Sequence, residues 1–318
     1  MLLSEAVGGF ILAISADGYS PCTVSDYRHS LAQMVGYLAD PAIEAVTTAD
    51  VRRFLAWLRE DYQPQRRNGD GKPLAPHTLA NVWCAVRSFY NWASKELGVN
   101  RPDGNIKQPR YKRAEIQPLS QEEVSRLLAV AEFTETANTN GRKPFRMRRP
   151  TGKRDVALIL LLLDCGLRVS ECARLRVSDV SLESGELHIA AYGTGRKTKG
   201  RHVYIGNATR KALWRYLTER HAQEGEPLFT TLEGRAMDRH SVRLVLRRLG
   251  ARAGVRVHPH QLRHTCAVEF LRNGGDAFTL RAVLGHSTLD MVSNYVHLAN
   301  ADLASVHRRA SPADNWRL

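Results

Sequence analysis

The sequence predicts a mainly α-helical chain in two domains, with one small antiparallel sheet in the second. Three observations carry this. Apolar residues recur at helical spacing through most of the chain. Only two short runs alternate with period two, and they flank a single Gly/Lys-rich turn. The chain has 318 residues, more than one hydrophobic core usually serves, and a Pro- and Arg/Lys-rich stretch interrupts the helical pattern after the first third.

Residues 3–16 are apolar on one face and stop at Asp17-Gly18. Ser20-Pro21 precedes a second helix over 23–39, with Leu31, Met34, Val35 and Leu38 on its buried side. The run Thr47-Thr48-Ala49-Asp50 reads as a cap before a helix over 51–60, striped by Phe54, Leu55, Trp57 and Leu58. Residues 63–76 are polar and contain Gly and Pro, hence a loop. A helix resumes over 77–97, burying Leu79, Val82, Val86, Phe89, Tyr90 and Trp92. Four or five helices without a strand signal make a small bundle.

Residues 101–118 hold Pro102, Pro109 and Pro118 among basic side chains, an interdomain linker suited to lying against phosphates or simply solvated. Ser120 and Glu123 form a capping box that opens a helix ending near Ala131. Residues 133–154 read as a polar loop rich in Arg and Lys, and 155–163 as a buried helix broken at Asp164-Cys165-Gly166. Residues 187–191 and 201–205 are the hairpin strands. Helices follow over 207–222, 238–253, 260–273, 278–284 and 288–299.

The formal net charge is +14 and the pI near 9.9, which favours a polyanionic partner, nucleic acid before an anionic membrane. The longest apolar run, 156–163, is too short to span a bilayer, and the opening segment carries Glu5 without a basic stretch, unlike a secretory signal. Five scattered cysteines (Cys22, Cys84, Cys165, Cys172, Cys266) form no C-x-x-C pair, so a reducing cytoplasm is expected, with no disulfide framework or zinc site.

Chemistry concentrates towards the C-terminus. His260 and Arg263 are three apart and project together from a helix begun by Pro259. His286 follows Gly285 at what reads as the start of another helix, and Tyr295 comes nine residues later. Arg168 lies far upstream, with Glu171 one turn on. Arginines can grip a phosphodiester by paired hydrogen bonds, histidines can move protons near neutral pH, and a tyrosine can be a nucleophile. No carboxylate cluster with metal-binding spacing accompanies them. Taken singly, Arg168–Glu171 also reads as a surface ion pair, His286 as a cap, and Tyr295 as a core aromatic. His264, beside Arg263 but turned off its face, reads as a packing or capping residue.

In order, "GLRVSE", "HQLRHT", "LGHS" and "NYVHL" resemble the tyrosine recombinase (phage integrase) family, to which the Cre and Xer recombinases belong; the resemblance runs from about residue 5 to Tyr295. It implies a helical DNA-clamping domain over 1–100, the basic linker over 101–118, and an α+β catalytic domain with a C-terminal tail over 119–318, together a C-shaped clamp on duplex DNA. The implied activity is site-specific recombination: Tyr295 forms a 3′-phosphotyrosine, Arg168, Arg263, His260 and His286 stabilise the phosphate charge, His260 resembles the family's proton-handling histidine, and Glu171 orients Arg168. The family's general-acid lysine sits in a hairpin turn. Here that turn is "GTGRKTKGR", longer than usual, with Lys197 the first choice and Lys199 the second, either also readable as a phosphate contact. The 238–253 helix, with Arg239, Arg243, Arg247, Arg248 and Arg252, is the candidate for the major groove.

The expected partners are double-stranded recombination sites and three further copies of the chain, with Trp316 and Leu318 as apolar anchors on a neighbour. No metal, ATP, organic cofactor, small-molecule substrate or membrane is expected, and the setting is a prokaryotic cytoplasm. A type IB topoisomerase, or a non-catalytic DNA-binding protein of the same fold, are the alternatives.

Overall fold

In the computed structural model, residues 1–65, 71–111, 115–136, 145–192, 200–299, 307 and 311–316 are described. These divide into two compact units, Met1–Glu115 and the residues from Ile116 onward.

The first unit is a bundle of α1 (Leu3–Ala16), α2 (Pro21–Leu38), α3 (Thr48–Glu60) and α4 (Pro76–Glu96). Their apolar faces meet in one core containing Leu3, Phe10, Leu31, Met34, Phe54, Leu58 and Phe89. Local chemistry sets the helix starts. The Ser20 hydroxyl accepts from the Thr23 amide with Pro21 in the first turn, where a missing N–H costs nothing. Thr47 and Asp50 cap each other reciprocally. Both α2 and α4 therefore begin at the proline itself, one or two residues before the apolar periodicity does. Part of the stretch expected to be an interdomain linker packs on the first unit: Asp103 is buried against Arg101, and Ile106 rests on that unit's core.

In the second unit, α5 (Gln121–Glu132), α6 (Gly152–Cys165), α8 (Asn207–Arg220), α9 (Arg239–Ala253) and α10 (Pro259–Arg272) surround a core that includes Leu127, Leu158, Leu162, Leu213, Leu246 and Leu262. The short α7 (Val169–Cys172) follows α6. Strands β1 (Glu186–Ile189) and β2 (Arg201–Tyr204) pair antiparallel, with Leu187 opposite Val203 on the buried face. Then α11 (Ala277–Leu284) and α12 (Asp290–Ala299) pack with α10 around a smaller cluster of Ala267, Val268, Leu280, Leu284, Val292 and Tyr295. Among the described residues no helix is long and apolar enough to cross a membrane.

Helix α6 corrects two expectations. It starts inside the segment read as a basic loop, at Gly152, where a Cβ would stand 2.9 Å from the Glu132 carbonyl oxygen. It also runs through Asp164 and Cys165, because Gly166 takes the left-handed capping conformation only afterwards. Part of that loop's charge is structural. Arg149 and Arg154 both pair with Asp155, whose side chain is 1% exposed, and Thr151 donates a further hydrogen bond to it. Asp155→Ala would strand two partly buried guanidinium groups. We expect it to lower stability by roughly 3–5 kcal/mol, read as a shift in the urea unfolding midpoint at constant slope.

Candidate active site

The site is assembled around the carboxylate of Glu171. Arg168 occupies the N-cap of α7, extended after the Gly166 turn, so its own amide and guanidinium both reach back to Glu171, each at 2.9 Å. From the other side Arg201, the first residue of β2, places Nη1 at 3.1 Å and Nη2 at 2.9 Å from the two carboxylate oxygens. Burial pushes the Glu171 carboxyl up; the Arg201 hydrogen bonds and charge, with the Arg168 hydrogen bonds, outweigh it and hold the group below the ordinary glutamate range. Arg201 also donates from Nε to the Val283 carbonyl at 2.8 Å, which ties the hairpin to the end of α11. Gly285, at φ +64°, makes room for it: a Cβ there would stand 3.0 Å from Arg201 Nη1. The Gly285 carbonyl in turn accepts from Arg168 Nη2 at 3.3 Å.

Arg263 lies beneath, 2% exposed. It donates to the Gly166 carbonyl at 2.7 Å, to the Leu284 carbonyl at 2.8 Å, and to His286 Nε2 at 2.8 Å. Desolvation, then repulsion from Arg168, bring its guanidinium down to about 10, so it stays cationic at neutral pH. A guanidinium can only donate, so His286 Nε2 is the acceptor and the ring proton of the neutral imidazole sits on Nδ1. Burial first, then the charges of Arg263, Arg168 and Arg201, keep that imidazole neutral by lowering it to about 4. His286 Nδ1 is itself buried without a partner among the described residues. Such an orphan costs about 1–3 kcal/mol. His286 does not begin a helix as expected; it follows Gly285, the left-handed cap of α11, and α12 starts only at Asp290.

His260, in the first turn of α10, stacks on His264 at 5.5 Å between ring centroids. Desolvation, then Arg263, His258, Arg168 and Arg243, lower its basicity. Tyr295, on α12, is 5% exposed and faces His286 at 6.4 Å between rings. Burial raises its phenol above the ordinary tyrosine value, against the pull of Arg263. The side chain touching its hydroxyl is His264, with Nδ1 2.8 Å from Oη. His264 is thus a part of the site, not the bystander the sequence reading made it.

Thus Arg168, Glu171, His260, Arg263, His286 and Tyr295, drawn from α7, α10, α12 and the α11–α12 turn, converge. Arg201 and His264 join them unannounced. The sequence hints of Arg201 are its place closing the "GTGRKTKGR" run and opening the second strand, and those of His264 are its places beside Arg263 and four residues after His260. Lys197 and Lys199 lie outside the described residues. On α9, Arg239, Arg243 and Arg247 are exposed at four-residue intervals, with Arg248 beside them. Arg252 departs from the expected groove-facing set, since its guanidinium caps the Val130 and Phe133 carbonyls. Among the described residues no three His, Cys, Asp or Glu side chains cluster closely enough to hold a metal ion.

Residues 117–302 match the phage integrase family, and 9–96 match the N-terminal SAM-like domain of phage integrases. The chain belongs to the phage integrase family. Tyrosine recombinase XerC of Oceanobacillus iheyensis is 30% identical over 93% of this chain and 92% of its own, and XerD of the same organism is 28% identical over 93% and 94%. Among solved structures, the Tn1549 transposon integrase in complex with a circular intermediate DNA covers 98% of this chain and 99% of its own at a TM-score of 0.72 and 17% identity, a likeness of fold. The lambda integrase dimer bound to a core site gives 0.71 over 93% of this chain and 77% of its own at 15% identity. As a family member the chain is a tyrosine recombinase, an enzyme of site-specific DNA recombination.

The low Glu171 carboxyl has a pH consequence. A carboxylate held below its unfolded value stabilises the fold above that value, and the contribution is lost as pH falls through the folded value. Glu171→Gln should cost about 3 kcal/mol at pH 7. The gap between variant and wild type should close as pH drops below the ordinary glutamate range, in urea unfolding measured stepwise into acid.

Proposed function

We propose that this chain cuts and rejoins duplex DNA by attack of Tyr295 on a phosphodiester, leaving a 3′-phosphotyrosine and a free 5′-hydroxyl. The observation that carries this is the placing of the Tyr295 hydroxyl in one buried cationic cluster with Arg263 and His286. Arg168 keeps a quarter of its side chain exposed and is oriented by Glu171 for a non-bridging oxygen. Arg263 supplies charge from below; three of its five N–H donors serve the protein. An arriving phosphate oxygen offers the orphaned His286 N–H the acceptor it lacks. His260 completes the donor set, and Lys197, with Lys199 as the alternative, protonates the departing 5′ oxygen.

The phosphotyrosine conserves the energy of the broken ester, so resealing by a partner strand's 5′-hydroxyl needs no ATP, metal or organic cofactor. Residues 1–100 form the DNA-clamping domain, 101–118 the basic connection, and 119–318 the catalytic domain. Arg239, Arg243, Arg247 and Arg248 meet the duplex, in keeping with the net charge of +14. Solved relatives include the XerH recombinase bound to palindromic difH and the lambda integrase dimer on its core site. In this reading four copies of the chain act on two paired sites in a prokaryotic cytoplasm, with Trp316, 74% exposed, as an anchor in the tail; Leu318 lies outside the described residues.

The test begins with sheared genomic DNA from the encoding organism, quenched in SDS; sequencing the protein-linked ends yields the substrate. Tyr295→Phe should bind that duplex normally yet form no adduct on a nicked copy, and an adduct trapped by the Phe variant rejects Tyr295 as nucleophile. On the same duplex, Lys197→Ala should slow cleavage at least about a hundredfold, and a 5′-bridging phosphorothiolate, whose thiolate leaves without a proton, should restore it. Rescue of Lys199→Ala instead identifies Lys199 as the acid.

A further inference from the structure

The hydroxyl of Tyr295 has one proton and, among the described residues, one hydrogen-bond partner, Nδ1 of His264 at 2.8 Å. If Nδ1 carried the ring proton, the phenol proton of a side chain only 5% exposed would be left without an acceptor. The lower-energy arrangement puts the imidazole proton on Nε2 and lets Nδ1 accept from Oη. Among the described residues the His260 ring is stacked on His264 at 5.5 Å and has no contact to the Tyr295 hydroxyl, while the His264 ring lies 5.6 Å from that of Tyr295.

We propose that His264 is the general base that takes the Tyr295 proton as the phenol attacks the DNA phosphate. The proposal rests on the recombinase reading above and adds the residue that activates its nucleophile. In the forward step the Oη–P bond forms while the Oη–H bond breaks, its proton passing to His264 Nδ1. The P–O5′ bond breaks with its electron pair going to O5′, which takes a proton from the hairpin lysine. In rejoining, a 5′-hydroxyl attacks phosphorus and returns its proton to that lysine. The Oη–P bond then breaks, and Oη recovers its proton from the His264 imidazolium. His260 is thereby left to the phosphate.

The surroundings tie this base to the substrate. Desolvation first, then His260, His258 and Arg263, hold the His264 imidazole down to about 4, so without DNA it accepts the hydrogen bond but not the proton. A phosphate seated among Arg168, Arg263 and His286 brings negative charge beside the cation that depresses it, and the imidazolium becomes tenable when the nucleophile is needed.

The test is single-turnover adduct formation on a nicked duplex of the recovered sequence. His264→Ala should react about a hundredfold more slowly, within the usual range for a lost general base. Added imidazole should recover a large part of that loss, whereas sodium chloride at equal ionic strength should not. His264→Asn, which offers a hydrogen-bond acceptor near Nδ1 but cannot take a proton, should be as slow as the Ala variant. Replacing Tyr295 by 3-fluorotyrosine, a more acidic phenol, should narrow the gap between wild type and His264→Ala. Full activity of His264→Asn would overturn the proposal in favour of simple positioning. So would a slow His264→Ala that neither imidazole nor fluorotyrosine improves. Absence of adduct from the wild-type chain would instead sink the recombinase reading, and this proposal with it.

Discussion

The site depends on one buried carboxylate. Glu171 joins three segments that the sequence keeps far apart: the N-cap of α7, the first residue of β2 and, through Arg201, the last turn of α11. Removing the charge would do more than loosen Arg168. It would leave Arg201, 8% exposed, without its counter-ion and release the hairpin from Val283. A buried ion pair is a poor source of net stability but a strong means of fixing geometry when every oxygen is engaged, as both are here. The two glycines are part of the same constraint. Gly166 gives its carbonyl to Arg263 and has Leu284 where a Cβ would need to be, at 2.6 Å, and Gly285 yields its space to Arg201.

Three guanidinium groups and three histidines in one small volume would be unfavourable were the histidines charged. Desolvation first, then the neighbouring histidines and arginines, push all three towards the neutral form. The resting site therefore carries fixed positive charge on its arginines, and its histidines are free to donate or accept single hydrogen bonds. That division of labour suits a polyanion that must be held firmly while individual protons move. It also agrees with the exposed arginine row on α9, whose Arg243 is near enough to influence His260.

Much of this was legible in the sequence, because it rests on local chemistry. The Thr47–Asp50 and Ser120–Glu123 boxes, the Pro259 start and the three-residue spacing of His260 and Arg263 all act within one helical turn. What was missed acts over long separations. Arg201 is 30 residues from Glu171, and His264 is 31 from Tyr295, so neither partnership leaves a periodic trace. His264 was set aside as a packing residue although it stands four residues after His260 on a shared helix face; its partner on α12, which packs against α10, is distant in sequence. Likewise Arg149, Arg154 and Arg252 look like surplus charge in a basic chain. Only the folded contacts show them spent on Asp155 and on helix-end carbonyls.

The nucleophile's helix stands on its own small foundation. Val292 and Tyr295 rest on Ala267, Val268, Leu280 and Leu284, a cluster distinct from the larger core that holds the rest of the unit. A helix whose apolar support, among the described residues, is one small cluster is expected to open at a fraction of the global unfolding free energy. We expect the amides of α12 to exchange with solvent ahead of those of α6. A proteolytic cut there would remove the tyrosine and leave the arginine scaffold folded.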